Sequence, residues 1–531
     1  MKHTNPQPLK WTRPKKNLKI CHLKPGQSCL DFNLILSGRA ADIDAVLDSL
    51  APSFLDTDPE NVLTIRLEAL SGSDAHREVE IRLYDLIGEE SETAVWNAVY
   101  QVYRQAAISK KIVFADPNFV TGDPGPGGGS GGVNGGTTGN IGPDTPEEAF
   151  IKHWAFGERN AVQRGIRLED GRGRRLVEHK GAGVKVILFD SYDSDIPRDL
   201  DRAQNPAQSA AQGWIEIRRG FPPEPLRLLV SSPDFQPSGI KVVSHPAFDC
   251  VDEHGFYVAG LVHRLAPQSD IHLVDVLNEK SQGELFGLLQ SLYQLGVQAA
   301  EQAGDDRPLQ DTVINLSLGA SFSETMLLRS KTRDAIKDLY DAVVGSNVQA
   351  PPFLSQLLAD MVEHFHYVPS LRMVLQALHT LGAVVVAAAG NDSGQHYGVE
   401  PAQIPARYPE VIGVAASTQH GQLACFSNQG EVLAPGGGTP DDVCPPVDFT
   451  TDCRDVAMIS LVPRVKPYMS GYAFWQGTSF AAPIVSGLAA LVIEKHKRKF
   501  GHAPTPEQVK EYICQNTQDG IVDVQNTLSA I

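Results

Sequence analysis

A glycine-rich segment divides this chain into two folding units. Residues 122–142 contain 11 of the chain's 47 glycines. A Gly/Ser-rich segment of this length behaves as a flexible coil. We therefore predict a basic N-terminal segment at residues 1–24, a first domain at 25–120, a linker at 121–148 and a larger domain at 149–531.

The composition is that of a globular, acidic protein. Its 531 residues are 42% hydrophobic and 21% charged, which excludes disorder throughout. The formal charge of −17 disfavours nucleic acid and anionic membranes as partners, although residues 1–24 hold seven Lys or Arg. No apolar run approaches the roughly 20 residues of a membrane span, and no signal-peptide pattern follows the basic start. We expect neither a nucleic-acid nor a membrane partner.

The cysteine pattern favours a reducing compartment. The chain has seven cysteines, an odd number, and no CxxC pair. We therefore expect a cytoplasmic protein, in which structural disulfides are rare. Cys444 and Cys453 are near enough in sequence to close a surface loop if the protein meets an oxidant.

The first domain has the pattern of a small α+β unit. Strand patterns and helical patterns follow one another in the order β-α-β-β-α-β, which is the split βαβ or ferredoxin-like arrangement. No nucleophile, metal cluster or phosphate-binding loop stands out in it, so we expect it to bind rather than to catalyse. The strand patterns are Leu30–Leu36, Val62–Leu70, Glu78–Tyr84 and Lys111–Ala115, and the helical patterns are Ala40–Leu50 and Ala94–Ala107.

The larger domain alternates short apolar runs with helical segments. This alternation predicts an α/β fold in which a parallel sheet carries helices on both faces. Active sites in such sheets lie beyond the carboxyl ends of the strands. The predicted strands are Val184–Phe189, Ile271–Val276, Thr312–Leu316, Ala383–Ala389 and Val411–Ala415.

Three polar residues occupy positions that this rule makes candidates for chemistry. Asp190 ends an apolar strand, Asn391 follows a strand of small residues, and His254 begins a segment whose Gly255 allows close helix packing. Taken singly, Asp190 and Asn391 have the character of turn residues, and His254 that of a structural histidine.

Ser479 lies at the start of a nearly all-apolar segment that we predict to be a buried helix. Pro483 is tolerable only in the first helical turn, so we expect the helix to begin near Thr478. Ser479 would then lie at the positive end of the helix dipole, which stabilises negative charge. A plain N-cap is the alternative for this serine.

Taken together, the segments resemble the subtilisin family of serine peptidases, whose triad follows the order Asp, His, Ser. The resemblance covers most of residues 180–531. Five ordered blocks carry it: Asp190, His254-Gly255, Val313–Gly319, Ala387–Asn391 and Gly477–Pro483.

The resemblance implies a role for each candidate. Ser479 would attack the carbonyl, His254 would move its proton, Asp190 would orient His254, and Asn391 would donate to the oxyanion. Ser317, Leu318 and Gly319 would form the strand edge for the substrate backbone. Ala387, Ala388, Ala389 and Gly390 would wall the first specificity pocket, which predicts a preference for apolar or unbranched residues. We expect no required cofactor and no metal in the site, and a structural calcium ion, common in the family, has no assignable position.

The resemblance also implies a role for the first domain. Subtilisin-like peptidases are commonly made with a ferredoxin-like propeptide that blocks the cleft. We therefore expect a self-processed zymogen, cut in cis between Asn118 and Asp144, whose partners are a protein or peptide substrate and its own N-terminal domain. A helical insertion near residues 323–380 would cover, regulate or extend the cleft.

The resemblance implies a serine endopeptidase, and two other functions are compared with it. The alternative is a catalytically silent subtilisin-fold binding protein with an N-terminal adaptor domain. An α/β-hydrolase esterase is disfavoured, because its triad runs Ser, Asp, His, whereas Ser479 comes last in this chain.

Overall fold

The structure is a computed structural model of the 531-residue chain. It describes residues 20–22, 28–50, 61–66, 78–86, 92–122, 153–156, 166, 168, 175–192, 214–217, 226–231, 254–277, 282–302, 307–319, 326–346, 351–363, 368–393, 399–438, 456–462 and 471–531.

The N-terminal domain contains an antiparallel sheet with two helices. Its strands lie in the order β5-β2-β4-β3, and β1 pairs with β2. The strand and helix patterns predicted here overlap these elements, although β3 is described only as far as Arg66. The bounds are β1 (Ile20–His22), β2 (Ser28–Gly38), α1 (Ala40–Ser49), β3 (Asn61–Arg66), β4 (Glu78–Asp85), α2 (Glu92–Ser109) and β5 (Val113–Gly122).

The larger domain alternates strands and helices as its pattern predicts. Its elements between Lys185 and Pro435 are β6 (Lys185–Ser191), β7 (Trp214–Ile217), β8 (Leu226–Ser231), α3 (His254–Leu265), β9 (Asp270–Leu277), β10 (Gln282–Glu284), α4 (Leu285–Gln302), β11 (Thr312–Leu316), α5 (Met326–Val344), α6 (Pro352–Glu363), α7 (Pro369–Thr380), β12 (Val384–Ala388), β13 (Val411–Ser417) and β14 (Val432–Pro435). The remaining elements are β15 (Met458–Leu461), β16 (Tyr472–Trp475), α8 (Thr478–Phe500), α9 (Pro506–Gln515), β17 (Thr517–Gln518), β18 (Ile521–Val522) and α10 (Val524–Ser529).

A mostly parallel sheet forms the centre of the larger domain. The strand order is β17-β18-β14-β13-β12-β11-β6-β9-β8-β7, and every pairing from β8 to β18 is parallel. Helices α3 and α8 pack in the core on one face, and α4 and α7 pack in the core on the other. The predicted α/β fold class, a parallel sheet covered on both faces, is confirmed.

Helix α8 is the predicted buried helix, and it begins at Thr478 as expected. It is long and apolar enough to cross a membrane by these criteria alone, but 94% of its apolar window is buried inside the protein. The prediction for Pro483 is wrong in detail, since this proline lies in the second turn rather than the first.

The N-terminal domain packs against the face of the sheet that carries α4 and α7. Strand β5 extends beyond its own domain and pairs antiparallel with β10 of the larger domain, Val120 opposite Glu284 and Gly122 opposite Gln282. The predicted insertion contains α5, α6 and α7, and α5 packs along α2. The insertion therefore contacts the N-terminal domain.

Several sequence predictions fall outside the described residues. The linker after Gly122 and the pair Cys444 and Cys453 belong to this group. Among the described side chains, Cys425 is disulfide-bonded and Cys514 is free. A disulfide is uncommon in cytoplasmic proteins, and the cytoplasmic localisation stays a prediction.

Candidate active site

Asp190 and His254 meet at the carboxyl end of β6. Asp190 is the penultimate residue of that strand and is fully buried, and His254 is the first residue of α3. Asp190 Oδ1 lies 2.7 Å from His254 Nδ1 and also accepts the backbone N–H of Ser191 at 2.8 Å. A carboxylate in this position fixes the ring tautomer, with the proton on Nδ1 and Nε2 left as the basic nitrogen.

Aromatic rings and a close backbone contact hold His254 in place. The imidazole lies 5.6 Å from the Trp475 ring and 5.3 Å from the Phe480 ring, centroid to centroid. A Cβ on Gly255 would overlap the carbonyl oxygen of Ser191 and lie 3.0 Å from Asp190 Cβ. Glycine is thus needed here for α3 to approach β6 closely enough for the Asp190–His254 contact.

We expect Gly255→Ala to lower the free energy of unfolding by about 1–3 kcal/mol, because the added methyl group forces α3 away from β6. The matched control is Gly296→Ala in α4, where the nearest atom to a new Cβ is a flexible Leu378 methyl at 3.3 Å. We expect the control to change stability by less than about 1 kcal/mol. Urea denaturation of both variants tests this, and equal stability losses would contradict it.

Ser479 is the second residue of α8 and is tied to Ser317 by two hydrogen bonds. Ser479 Oγ donates to the Ser317 carbonyl at 3.1 Å, and Ser317 Oγ donates to the Ser479 carbonyl at 2.8 Å. Pro483 explains the second bond. Its missing N–H would have bonded the Ser479 carbonyl within the helix, and Ser317 supplies the donor instead.

A buried polar chain extends this contact away from the surface. Asn315 Nδ2 donates to Ser317 Oγ at 2.9 Å, and Ser486 Oγ donates to Asn315 Oδ1 at 2.9 Å. The sequence analysis did not identify Ser486, whose only signal is its place two helical turns beyond Ser479 on α8. These hydrogen bonds fix the orientation of Ser317 and thereby of the helical turn that holds Ser479.

Asn391 and Gly390 lie beside the same helix start. The backbone N–H of Thr478 donates to Asn391 Oδ1 at 2.9 Å, and the N–H of Gly390 donates to Thr478 Oγ1 at 3.2 Å. The first bond occupies the amide oxygen, so the Nδ2 group is the part of Asn391 able to donate to a ligand. Thr478 was not singled out as a site residue from the sequence.

The predicted substrate-binding residues follow two neighbouring strands. Ser317, Leu318 and Gly319 come directly after β11, and Ala389 and Gly390 come directly after β12, which pairs with β11 in parallel. Ala387 and Ala388 instead lie within β12. The side chain of Ala387 belongs to the core on one face of the sheet, and that of Ala388 to the core on the other face.

The described residues contain no group of three or more His, Cys, Asp or Glu side chains that could hold a metal ion. The expectation that the site needs neither metal nor cofactor, like that of a structural calcium ion, stays a prediction.

Two side chains of β5 reach helix starts in the larger domain. Asn118 Oδ1 accepts the backbone N–H of Phe286, the second residue of α4, at 2.9 Å, and its Nδ2 lies 3.2 Å from Glu284 Oε2. Asp116 Oδ2 accepts the N–H of Ser370, the second residue of α7, at 3.0 Å. Both bonds satisfy first-turn donors that have no partner inside their helices.

The Asp116 carboxyl is buried at the junction of the two domains. Burial raises its pKa to about 7, although hydrogen bonding with Ser370 acts in the opposite direction. The bound N-terminal domain therefore favours a protonated Asp116.

The sequence of this chain is similar to those of known proteins. The model of the subtilase family matches residues 239–529, more than half of the chain. Subtilisin of Bacillus pumilus is 27% identical over 255 residues, covering 46% of this chain and 64% of its own length. Subtilisin E of Bacillus subtilis (strain 168) is also 27% identical over 255 residues, covering 46% of each chain. The chain thus spans about half to two thirds of the length of these relatives.

Two solved structures show a limited likeness to this chain. The crystal structure of a lanthipeptide protease covers 74% of this chain and 99% of its own, with 19% identity and a TM-score of 0.42. That of a cold adapted subtilisin-like serine proteinase covers 69% of this chain and 93% of its own, with 18% identity and a TM-score of 0.35.

Proposed function

This chain belongs to the subtilase family, and from that membership we propose that it is a serine endopeptidase with Asp190, His254 and Ser479 as its triad. The observation that carries the proposal is the 2.7 Å contact between Asp190 and His254. A buried carboxylate bonded to an imidazole is the arrangement that makes a histidine a general base.

The chemistry assigns a step to each residue. Ser479 Oγ attacks the peptide carbonyl, and His254 Nε2 takes the hydroxyl proton and later returns it to the leaving amine. Asp190 stabilises the imidazolium that forms between these steps. The Ser479 hydroxyl donates to the Ser317 carbonyl in the structure, so it must leave that bond to donate to His254. The N-terminal end of α8 favours the negative charge that develops beside Ser479.

Asp190→Asn against Asp193→Asn tests this assignment. We expect Asp190→Asn to lower kcat for peptide hydrolysis by about 10⁴, since the amide supports the wrong imidazole tautomer. Asp193→Asn, three residues along the chain, should retain wild-type activity. Loss of activity in Asp193→Asn with retention in Asp190→Asn would move the orienting role to another carboxylate.

Asn391 is the proposed oxyanion donor. Its oxygen bonds Thr478, which supports a role for Nδ2 toward the oxyanion of the tetrahedral intermediate. We expect Asn391→Ala to lower kcat by about 10²–10³, a range that comes from subtilisin itself, and to change KM little. The exposed Asn526→Ala is the matched control. A kcat equal to wild type in Asn391→Ala would exclude the role.

We also propose that the chain is a self-processed zymogen. The pairing of β5 with β10 supports this, because an extended segment on an edge strand is how a peptide binds a sheet. Since residues up to Gly122 belong to the paired strand, the cut in cis is proposed between Gly122 and Asp144. Intact-mass analysis should find this cut in wild type and not in Ser479→Ala.

A further inference from the structure

One side chain near Ser479 has no part in the proposed mechanism. It lies between two segments that leave neighbouring parallel strands, Ser317–Gly319 after β11 and Ala389–Asn391 after β12. Both segments bond the start of α8, through the Ser317 carbonyl with Ser479 and through Gly390 N–H with Thr478. The gap between them therefore opens beside the nucleophile.

The Gln403 side chain lies between these two segments. A Cβ built on Gly319 would overlap Gln403 Oε1, and one built on Gly390 would lie 2.7 Å from Gln403 Cγ and Cδ. The side chain thus touches the backbone of both segments, and only residues without a Cβ leave room for it. Gln403 itself is half-buried.

Three hydrogen bonds hold this side chain and its surroundings. Gln403 N–H donates to the Ala389 carbonyl at 2.7 Å, and Gln403 Nε2 donates to Asp392 Oδ2. The same carboxylate oxygen accepts Asn428 Nδ2 at 2.9 Å. Moving Gln403 out of the gap would break a hydrogen bond to a charged group, which contributes about 1.5–3 kcal/mol. Burying a large apolar substrate side chain gains about 1.5–3 kcal/mol, so displacing Gln403 would cancel most of that gain.

We propose that Gln403 determines specificity by closing this gap, so that the residue whose carbonyl Ser479 attacks must carry a small side chain. The inference rests on the proposed function. A side chain next to the attacked carbonyl enters the gap beside Ser479, where Gly, Ala or Ser fits in front of the Gln403 amide. A phenyl ring needs the volume that Gln403 occupies. This narrows the apolar or unbranched preference expected from the alanine-rich wall.

The test compares two peptides that differ only in Ala or Phe at that residue, with kcat/KM measured for each by the full chain. We expect wild type to prefer Ala by at least about tenfold, since each methylene of misfit changes discrimination by about that factor or more. Gln403→Gly should raise the Phe-to-Ala ratio at least tenfold, and Gln403→Ala should raise it by less. The exposed Gln422→Ala is the matched control and should keep the wild-type ratio.

The ratio separates specificity from folding, because a loss of stability lowers both rates together. Urea denaturation identifies a variant that fails to fold. If Gln403→Gly or Gln403→Ala does so, the Phe-to-Ala ratio of the other variant tests the inference. An unchanged ratio in a folded Gln403→Gly or Gln403→Ala protein would overturn the inference, as would a wild-type enzyme that prefers Phe. The proposed function fails by a different result, namely cleavage of both peptides by Ser479→Ala at the wild-type rate.

Discussion

Ser479→Ala and His254→Ala should each abolish peptide-bond cleavage, with kcat lowered by at least about 10⁴. In subtilisin, loss of the nucleophile or the base costs about 10⁶ in kcat. The physical reason is that the first change removes the attacking oxygen and the second removes the group that takes its proton. Hydrolysis of a peptide substrate at saturating concentration measures the effect.

Exposed residues of the same types serve as controls. Ser529 and His420 lie at the surface, so Ser529→Ala and His420→Ala should retain wild-type activity. The double variant Ser479→Ala/His254→Ala should be no slower than the worse single one, since the two residues act as a unit. Additive losses in the double variant would mean that the two side chains act in separate steps.

Docking of the N-terminal domain should strongly lower the activity of the uncut chain. We expect the uncut chain, assayed before it cuts itself, to hydrolyse peptides at least 100-fold more slowly than the cut chain, because a linker of this kind gives roughly millimolar local concentration. Asn118→Ala should raise the activity of the uncut chain, since it leaves Phe286 N–H without its acceptor and loosens β5 from β10. Asn97, exposed on α2, provides the control Asn97→Ala.

The activity of the uncut chain should also depend on pH through Asp116. Burial raises its pKa to about 7 when the domain is bound. Undocking removes the contact with Ser370 and should return the pKa toward the ordinary value of 3.8. The bound state therefore gains from protonation, an advantage that is complete below about pH 4 and is lost as the pH rises through 7. Docking should weaken over that window in wild type and stay constant in Asp116→Asn.

The accessibility of the cleft reports this docking. We measure the rate at which the uncut chain reacts with an active-site probe, in wild type and in Asp116→Asn. Dividing this rate by that of the cut enzyme at each pH gives the pH dependence of docking. A flat profile in wild type, or docking that strengthens as the pH rises, would contradict the role of Asp116. Equal activity of cut and uncut chains would make the N-terminal domain an adaptor.

The sequence predicts the central sheet because its strands are short, apolar and regularly spaced. Asp190 and Asn391 could be singled out because carboxyl ends of parallel strands meet at one edge, so residues far apart in sequence come together. The same rule does not tell which side chains fill the space between those ends. Ala387 and Ala388 were predicted to wall a pocket, and their side chains lie in the cores because β12 continues through them.

The remaining differences depend on contacts between distant segments. Pro483 was assigned to the first turn of α8 because an interior proline leaves a carbonyl without its donor, and the structure supplies Ser317 Oγ for that carbonyl. Gln403 lies in a connection between β12 and β13 with no regular periodicity. The family resemblance suggests a pocket base near Gln403, but only the structure gives the contacts with Gly319, Gly390 and Asp392 that fix its position.

A single labelling experiment tests the identity of the nucleophile most directly. The wild-type chain is incubated with a fluorophosphonate probe at pH 8, where docking of the N-terminal domain is expected to be weakest, and the modified peptide is identified by mass spectrometry. We predict one phosphonylated residue, Ser479, with no labelling in Ser479→Ala and strongly reduced labelling in His254→Ala. A label on another residue, or equal labelling of wild type and Ser479→Ala, would contradict the assignment of this chain as a serine peptidase that uses Ser479.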